Sequence, residues 1–206
     1  MAMNVLLITL DQFRGDCLSI AGHPVVKTPN LDRLCERGVR LSRHYSQASP
    51  CSPGRASLYT GMYHMNHRVL ANGTPLDKDF DNIALAARRA GYNPTLFGYT
   101  DQSIDPRVTT GADDPRLQYY EGVLPGFDCA LDLTRQMNPW RDFVTDKGYD
   151  ASPGILQFLS TEHERPLVFS VSHFLTNNLI DWIDAQDAGW FAHASYLRRH
   201  PPFSAA

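Results

Sequence analysis

The run Cys51-Ser52-Pro53-Gly54-Arg55, continuing Ala56-Ser57-Leu58-Tyr59-Thr60-Gly61, holds residue types from which a reaction on an anion can be built. Proline suits the first turn of a helix, where its missing N–H costs nothing, and glycine is a natural stop. With residues 49–52 read as loop and a helix running from Pro53 to about Thr60, Cys51 stands at the helix N-terminus. Free backbone N–H groups and the helix dipole favour an anion there and are expected to lower a thiol's pKa. Arg55, one turn further on, can fold back toward the same point. An anionic substrate, a nucleophile and a guanidinium would then meet in one place. The plainer alternative is a buried cysteine near a helix start.

Further polar residues fall where α/β sheets place their ligands, at the carboxyl ends of strands. Asp11-Gln12 follow a first apolar strand, Tyr99-Thr100-Asp101 follow another, and His200 follows the last. Any one of these could be an ordinary polar loop residue; three such clusters in one chain point to a site.

The elements that must position them read as follows. Asn4–Leu10 is a short continuous apolar run, the pattern of a central parallel strand buried on both faces. Thr28-Pro29-Asn30 opens a helix, with Asn30 as its cap and Gly38 as its stop. Val39–Tyr45 alternates well enough for a strand. Asn82–Ala90 reads as a helix closed by Gly91, and Pro94–Tyr99 as a strand. Residues 101–150, with Asp105-Pro106, Asp114-Pro115, Pro125-Gly126 and Asn138-Pro139, lose periodicity, and so long a structureless stretch is often functional. Ala151–Leu159 and about His173–Ala185 read as helices and Trp190–Tyr196 as a final strand. The alternation of strand and helix predicts an α/β fold, a mostly parallel sheet sandwiched by helices.

Composition sets the outer bounds. The chain has 206 residues, 43% of them hydrophobic and 20% charged, enough for one sizeable core and too ordinary for disorder. A net charge of −3 gives no basic balance for nucleic acid. Lys27, Lys78 and Lys147 are the lysines among 19 basic residues, a skew toward arginine, the better bidentate anion binder. The four cysteines match no zinc spacing and are too sparse for a disulfide framework. No apolar run is long enough to span a membrane, and the apolar N-terminus lacks a basic leader region. The expectation is a cytoplasmic protein with neither nucleic-acid nor membrane partners.

The C-x-P-x-R pattern followed by leucine and Thr60-Gly61 resembles the signature of the sulfatase family, in the alkaline phosphatase superfamily. The other matches fall in the same order: an apolar strand ending at Asp11, then Thr28-Pro29-Asn30-Leu31-Asp32-Arg33-Leu34, then the cysteine helix. Asp11-Gln12 in place of two aspartates, Met65-Asn66-His67-Arg68, Gly98-Tyr99-Thr100 and His200-Pro201-Pro202-Phe203 are similar to the phosphonate monoester hydrolase and phosphodiesterase branch. The resemblance is weakest between about residues 108 and 170. It implies an alkaline-phosphatase-like fold. It also implies that a formylglycine-generating enzyme oxidises Cys51 to formylglycine, and that a divalent metal such as Ca or Mn acidifies the nucleophilic hydroxyl. Asp11, Gln12 and the modified Cys51 would be metal ligands, with Gln12 also able to contact substrate. Arg55 would hold the formylglycine and offset charge on the substrate oxygens. Asn72, Tyr99 and His200 would line the site for a small anionic ester.

Two departures qualify this. Gly54 stands where family members usually carry a small residue with a β-carbon. The chain also has no Asp-His dipeptide and no lysine after Lys147, groups that the family's second half supplies. One aspartate, one glutamine and one modified cysteine are too few for a hard cation that takes about six oxygen ligands. The expectation is therefore the N-terminal portion of a sulfatase-type catalytic domain, incomplete, with an unpaired sheet edge along Trp190–Tyr196 that favours association into a homo-oligomer. Asp101, Asp105, His67 and His200 are the residues that could replace the missing ligands. The alternative is a catalytically inactive fragment acting as a binding module.

Overall fold

The computed structural model describes residues 3–198. The chain divides into two compact units, Gln12–Ser46 and the remainder. The larger unit is built on a four-stranded sheet, β1 (Val5–Leu10), β2 (Pro94–Gly98), β3 (Asp128–Asp132) and β4 (Phe191–Tyr196), in the spatial order β1-β4-β2-β3. All three pairings are parallel. The helices are α1 (Pro29–Arg37), α2 (Cys51–Thr60), α3 (His64–His67), α4 (Ile83–Arg89), α5 (Asn138–Thr145), α6 (Ile155–Ser160) and α7 (Val171–Asp184). None is long and apolar enough to cross a membrane among the described residues.

Alternation along the central strands feeds two cores. Leu96 and Phe191 turn to one face, where they pack with Ala56 and Tyr59 of α2, Ala84 and Ala87 of α4, and Phe127. Phe97, Ala192 and Ala194 turn to the other, against Trp140 and Val144 of α5, Phe158 of α6 and Leu175 and Leu179 of α7. The parallel α/β sheet covered on both faces is thus as the alternation predicts. Gly98 shows how tightly the strand ends are packed: it has a φ of 112°, and a Cβ there would lie 2.4 Å from the Ser195 carbonyl oxygen. Only glycine allows β2 and β4 to close up beside the site.

Several expectations are corrected. β1 is an edge strand, not a central one: Leu6, Ile8 and Leu10 are 41%, 48% and 38% exposed while the alternate residues are half-buried. β4 pairs on both sides, so Trp190–Tyr196 is not the sheet edge. Val39–Tyr45 forms no strand; in Gln12–Ser46 there is no other strand for it to pair with, and Val39, Leu41 and Tyr45 are exposed. In that same unit α1 starts at Pro29, so Asn30 lies inside the helix, and Asp32 accepts from Ser19 Oγ (2.6 Å) and Thr28 Oγ1 (3.0 Å) instead.

Residues 101–150 are not structureless. They contain β3, whose residues are mostly exposed and carry no apolar signal, and α5, which Pro139 opens rather than breaks. The intervening Asp105-Pro106-Arg107 and Asp114-Pro115-Arg116 are two copies of one device. Each aspartate accepts the backbone N–H of the arginine two residues on and pairs with its guanidinium, which holds the carboxylate far below its ordinary range. α6 begins at Ile155 rather than Ala151, because Pro153 disfavours helix at the residue before it.

His193 of β4 is fully buried, against the rings of Tyr59 (5.6 Å) and Phe127 (5.5 Å), with Nε2 3.2 Å from Thr9 Oγ1. Burial, and then the charge of Arg55, push it from its ordinary 6.5 down to about 3. The unfolded chain takes up a proton below 6.5 that the native ring refuses. Stability is therefore full above 6.5 and falls as pH drops toward 3, by up to about 1.4 kcal/mol per pH unit. The variant His193→Leu should lose this acid-sensitive component, measured as unfolding midpoint against pH. At the sheet edge, the 206-residue chain on its own should self-associate, and Leu6→Thr with Ile8→Thr should reduce this in light scattering.

Candidate active site

The strand ends and one helix start converge at the carboxyl edge of the sheet. α2 begins at Cys51, two residues earlier than expected, so the cysteine is the first helical residue and Pro53 sits within the first turn. Asn72 closes this end: its Oδ1 accepts the Ser52 backbone N–H at 2.9 Å. Gln102 Nε2 donates to the Ser52 carbonyl at 2.9 Å from the other side. Asn72 is exposed and acts here on the helix end; it is not among the residues lining the cavity described below.

Asp11 follows β1 and is buried. Its Oδ1 accepts from the Cys51 thiol at 3.4 Å and its Oδ2 from the Tyr99 hydroxyl at 2.8 Å. Arg55 lies beneath, 7% exposed, with Nη1 donating to Tyr59 Oη (3.1 Å) and Ser195 Oγ (2.9 Å) and the guanidinium 4.8 Å over the Tyr99 ring. Nη2 is 3.8 Å from Asp11 Oδ2, and Nε is 4.0 Å from Asp101 Oδ2. Burial works against the Arg55 charge, but Tyr59, Tyr99 and the two aspartates outweigh it and raise the pKa, so Arg55 is a permanent cation. Burial also pushes the Tyr99 phenol up, so it donates to Asp11 as the neutral hydroxyl.

Cys51 departs from expectation. Burial first, then the charges of Asp11 and Asp101, push the thiol up to about 12, and the favourable pull of Arg55 does not reverse this. The helix N-terminus does not make a thiolate here, because the sulfur faces two carboxylates in a half-buried place. Unmodified Cys51 is a neutral thiol that donates to Asp11, and no nucleophile at neutral pH.

A cavity of about 140 Å³ opens over these groups. Asp11, Cys51, Tyr99 and Asp101 form its polar end, with Tyr120, Glu121 and Arg135 beside them. Leu133, Met137, Ile155, Leu156, Leu159 and Leu197 form an apolar wall. Of the residues singled out in the sequence, the structure brings Asp11, Cys51, Arg55 and Tyr99 together. Gln12 is exposed and belongs to the Gln12–Ser46 unit, outside the lining, and His200 lies outside the described residues. The apolar wall and the buried partners of Arg55 were missed. The wall comes from the aperiodic stretch and its neighbours, where only the tertiary fold gathers the side chains. Asp101 carried a signal, its place just after a strand.

Of the described residues that could replace the missing ligands, Asp101 lines the cavity, but His67 and Asp105 are engaged elsewhere. His67 is buried with Nε2 2.9 Å from Ser57 Oγ and Nδ1 accepting from Val69 N–H, so both ring nitrogens are engaged structurally. Asp105 is held by Arg107 and the Lys78 backbone. Among the described residues no three His, Cys, Asp or Glu side chains form a group that could hold a metal ion. Both Asp11 oxygens already accept hydrogen bonds. The described residues thus do not by themselves make a site for a divalent cation, which takes about six ligands.

In the unmodified protein, alkylation of Cys51 by iodoacetamide should be slow at neutral pH and accelerate steadily toward about pH 12. Asp11→Asn, which removes one carboxylate that keeps the proton on sulfur, should speed it several-fold. Peptide mass spectrometry reads both, and reaction as fast as that of a free small-molecule thiol at neutral pH would contradict this account.

The sulfatase family model matches residues 3–206. The multifunctional alkaline phosphatase superfamily protein PehA of Trinickia caryophylli is 37% identical over 221 residues, covering 98% of this chain and 43% of that protein. The phosphonate monoester hydrolase of Agrobacterium radiobacter superposes with a TM-score of 0.90 at 47% identity, covering 98% of this chain and 42% of that one. The phosphonate monoester hydrolase SpPMH from Silicibacter pomeroyi gives 0.87 at 39% identity, with 98% and 42% covered. The chain therefore spans under half the length of these relatives. With a site built on the cysteine helix and a match running through its whole described length, the chain belongs to the sulfatase family of the alkaline phosphatase superfamily.

Proposed function

We propose that the protein of which this chain is the nucleophile-bearing part hydrolyses small anionic esters of sulfate, phosphate or phosphonate, and takes phosphonate monoesters and phosphate diesters at least as well as aryl sulfates. The observation that carries this is the Cys51 thiol, hydrogen-bonded to Asp11 and held near a buried guanidinium, yet too basic to act as it stands. A residue placed for attack but unable to ionise fits a precursor, which a formylglycine-generating enzyme converts to formylglycine; that group supplies a hydroxyl nucleophile whose adduct can be broken without direct attack by water. The 37–47% identity to PehA and to the phosphonate monoester hydrolases supports the choice of branch.

The chain's own groups have separable roles. Arg55 cannot move, since Tyr59 and Ser195 fix one nitrogen of its fork, and it offers fixed positive charge beneath the head group at no cost of reorganisation. Tyr99 holds Asp11 in place through a neutral hydroxyl. Asn72 anchors the first turn of α2 and so the position of residue 51. The apolar wall excludes water and accepts the organic part of the ester. Asp11, Gln12 and modified Cys51 stand as a partial set for a divalent cation such as Ca or Mn, whose other donors must come from outside the described residues, and His200 as a further substrate contact. The second reading, an inactive fragment that serves as a binding module, is favoured for the isolated chain by the lack of a three-ligand cluster among the described residues.

Mass spectrometry of the Cys51 peptide, after co-expression with a formylglycine-generating enzyme, tests the precursor role, and an unmodified thiol would refute it. In the full-length protein Cys51→Ala should abolish turnover. Arg55→Lys, which keeps charge but loses the fork, should lower kcat/KM by about 10²-fold, the scale of one lost transition-state donor. A strong preference in kcat/KM for sulfate monoesters would overturn the branch.

A further inference from the structure

An anionic head group that leaves water for a cavity needs hydrogen-bond donors for its oxygens, since without them it is strongly destabilised there. Among the described residues lining the cavity, the side chains with a proton to donate are Cys51, Tyr99, Arg135 and Tyr120; Arg55 is not part of the lining. The Cys51 thiol and the Tyr99 hydroxyl are both committed to Asp11, at 3.4 Å and 2.8 Å, and oxidation of Cys51 removes the thiol altogether. Arg135 is exposed to water, with its guanidinium 4.7 Å over the Tyr119 ring and Nη2 donating to the Gln118 amide oxygen at 3.4 Å. Tyr120 is the remaining donor, and it is half-buried. Among the described residues its hydroxyl has no hydrogen-bond partner.

Burial first, and then the charge of Glu121 and of the groups at the polar end of the cavity, raise the Tyr120 phenol above its ordinary value. It is therefore a neutral hydroxyl at neutral pH, with a proton to give. Glu121 beside it cannot stand in for it, since a carboxylate only accepts. Tyr120 falls between residues 108 and 170, outside the motifs that carry the family pattern. We propose that Tyr120 is a substrate-binding residue whose hydroxyl donates a hydrogen bond to an oxygen of the anionic ester. This rests on the hydrolase reading of the same site and deepens it by naming a contact that the cysteine helix and the partners of Arg55 do not supply.

The test uses the full-length, formylglycine-bearing protein with 4-nitrophenyl phenylphosphonate as substrate and phenylphosphonate as an inhibitor that binds without reacting. Tyr120→Phe keeps the ring and removes the donor. It should lower kcat/KM about tenfold or more, the scale of one hydrogen bond to a charged group, and raise the inhibition constant of phenylphosphonate by a similar factor. The unfolding midpoint and the formylglycine content, read by mass spectrometry, should stay as in the unsubstituted protein. Tyr120→Leu is a second variant without the hydroxyl, with the same expectation should the phenylalanine variant not fold. Unchanged kcat/KM and inhibition constant in a folded Tyr120→Phe overturn the proposal, whatever Tyr120→Leu does, since the ring alone would then suffice. A fall in kcat/KM with the inhibition constant unchanged also overturns it, because the hydroxyl would then not bind the anion. Absence of turnover by the unsubstituted, modified protein instead overturns the hydrolase reading itself.

Discussion

The buried guanidinium of Arg55 is the interaction on which the rest of this structure depends. A charge taken out of water is tolerated only when it is paired and its donors are satisfied. Its partners come from four separate elements: Asp11 after β1, Tyr59 on α2 itself, Tyr99 and Asp101 after β2, and Ser195 on β4. Those contacts require β4 to lie between β1 and β2, which is the sheet order observed. They also require β2 and β4 to close together, which Gly98 permits against the Ser195 carbonyl. The site and the sheet are one construction: a strand order that failed to bring these ends together would leave an unpaired charge in the core.

The same cluster explains the state of Cys51. A helix N-terminus is expected to favour a thiolate, but the dipole is a partial charge and acts over the first turn. Burial of the sulfur and, after it, the two carboxylates beside it are the larger effect, and they keep the proton on it. The anion preference of the helix end is met instead by neutral oxygen, the Asn72 amide accepting from Ser52. As a thiol the site is consequently unreactive at neutral pH.

The strands of the sheet are covered to different degrees. β2 and β4 are packed on both sides, whereas β1 leaves Leu6, Ile8 and Leu10 open at the sheet edge. A strand of continuous apolar residues at an edge conflicts with the usual way soluble proteins guard their edges. The relatives are more than twice as long as this chain, which is in keeping with an edge that has apolar surface still to be covered.

Local chemistry determined much of this by itself. The Gly61 stop of α2, the helix closed at Gly91 and the apolar runs of β1, β2 and β4 are legible because turn chemistry and side-chain period act over a few residues. The approach of Asp11, Cys51, Arg55 and Tyr99 was legible through the family pattern. Pairing was not: Val39–Tyr45 alternates like a strand but has none to join, while Asp128–Asp132 has no apolar signal and is a strand because β2 offers its edge. Burial was not legible either. That β1 is an edge, that the Cys51 thiol is held neutral and that Asp101 shares Arg55 with Asp11 are decided by what lies across space from each residue, since desolvation and Coulomb energy depend on distance through the fold and not on separation along the chain.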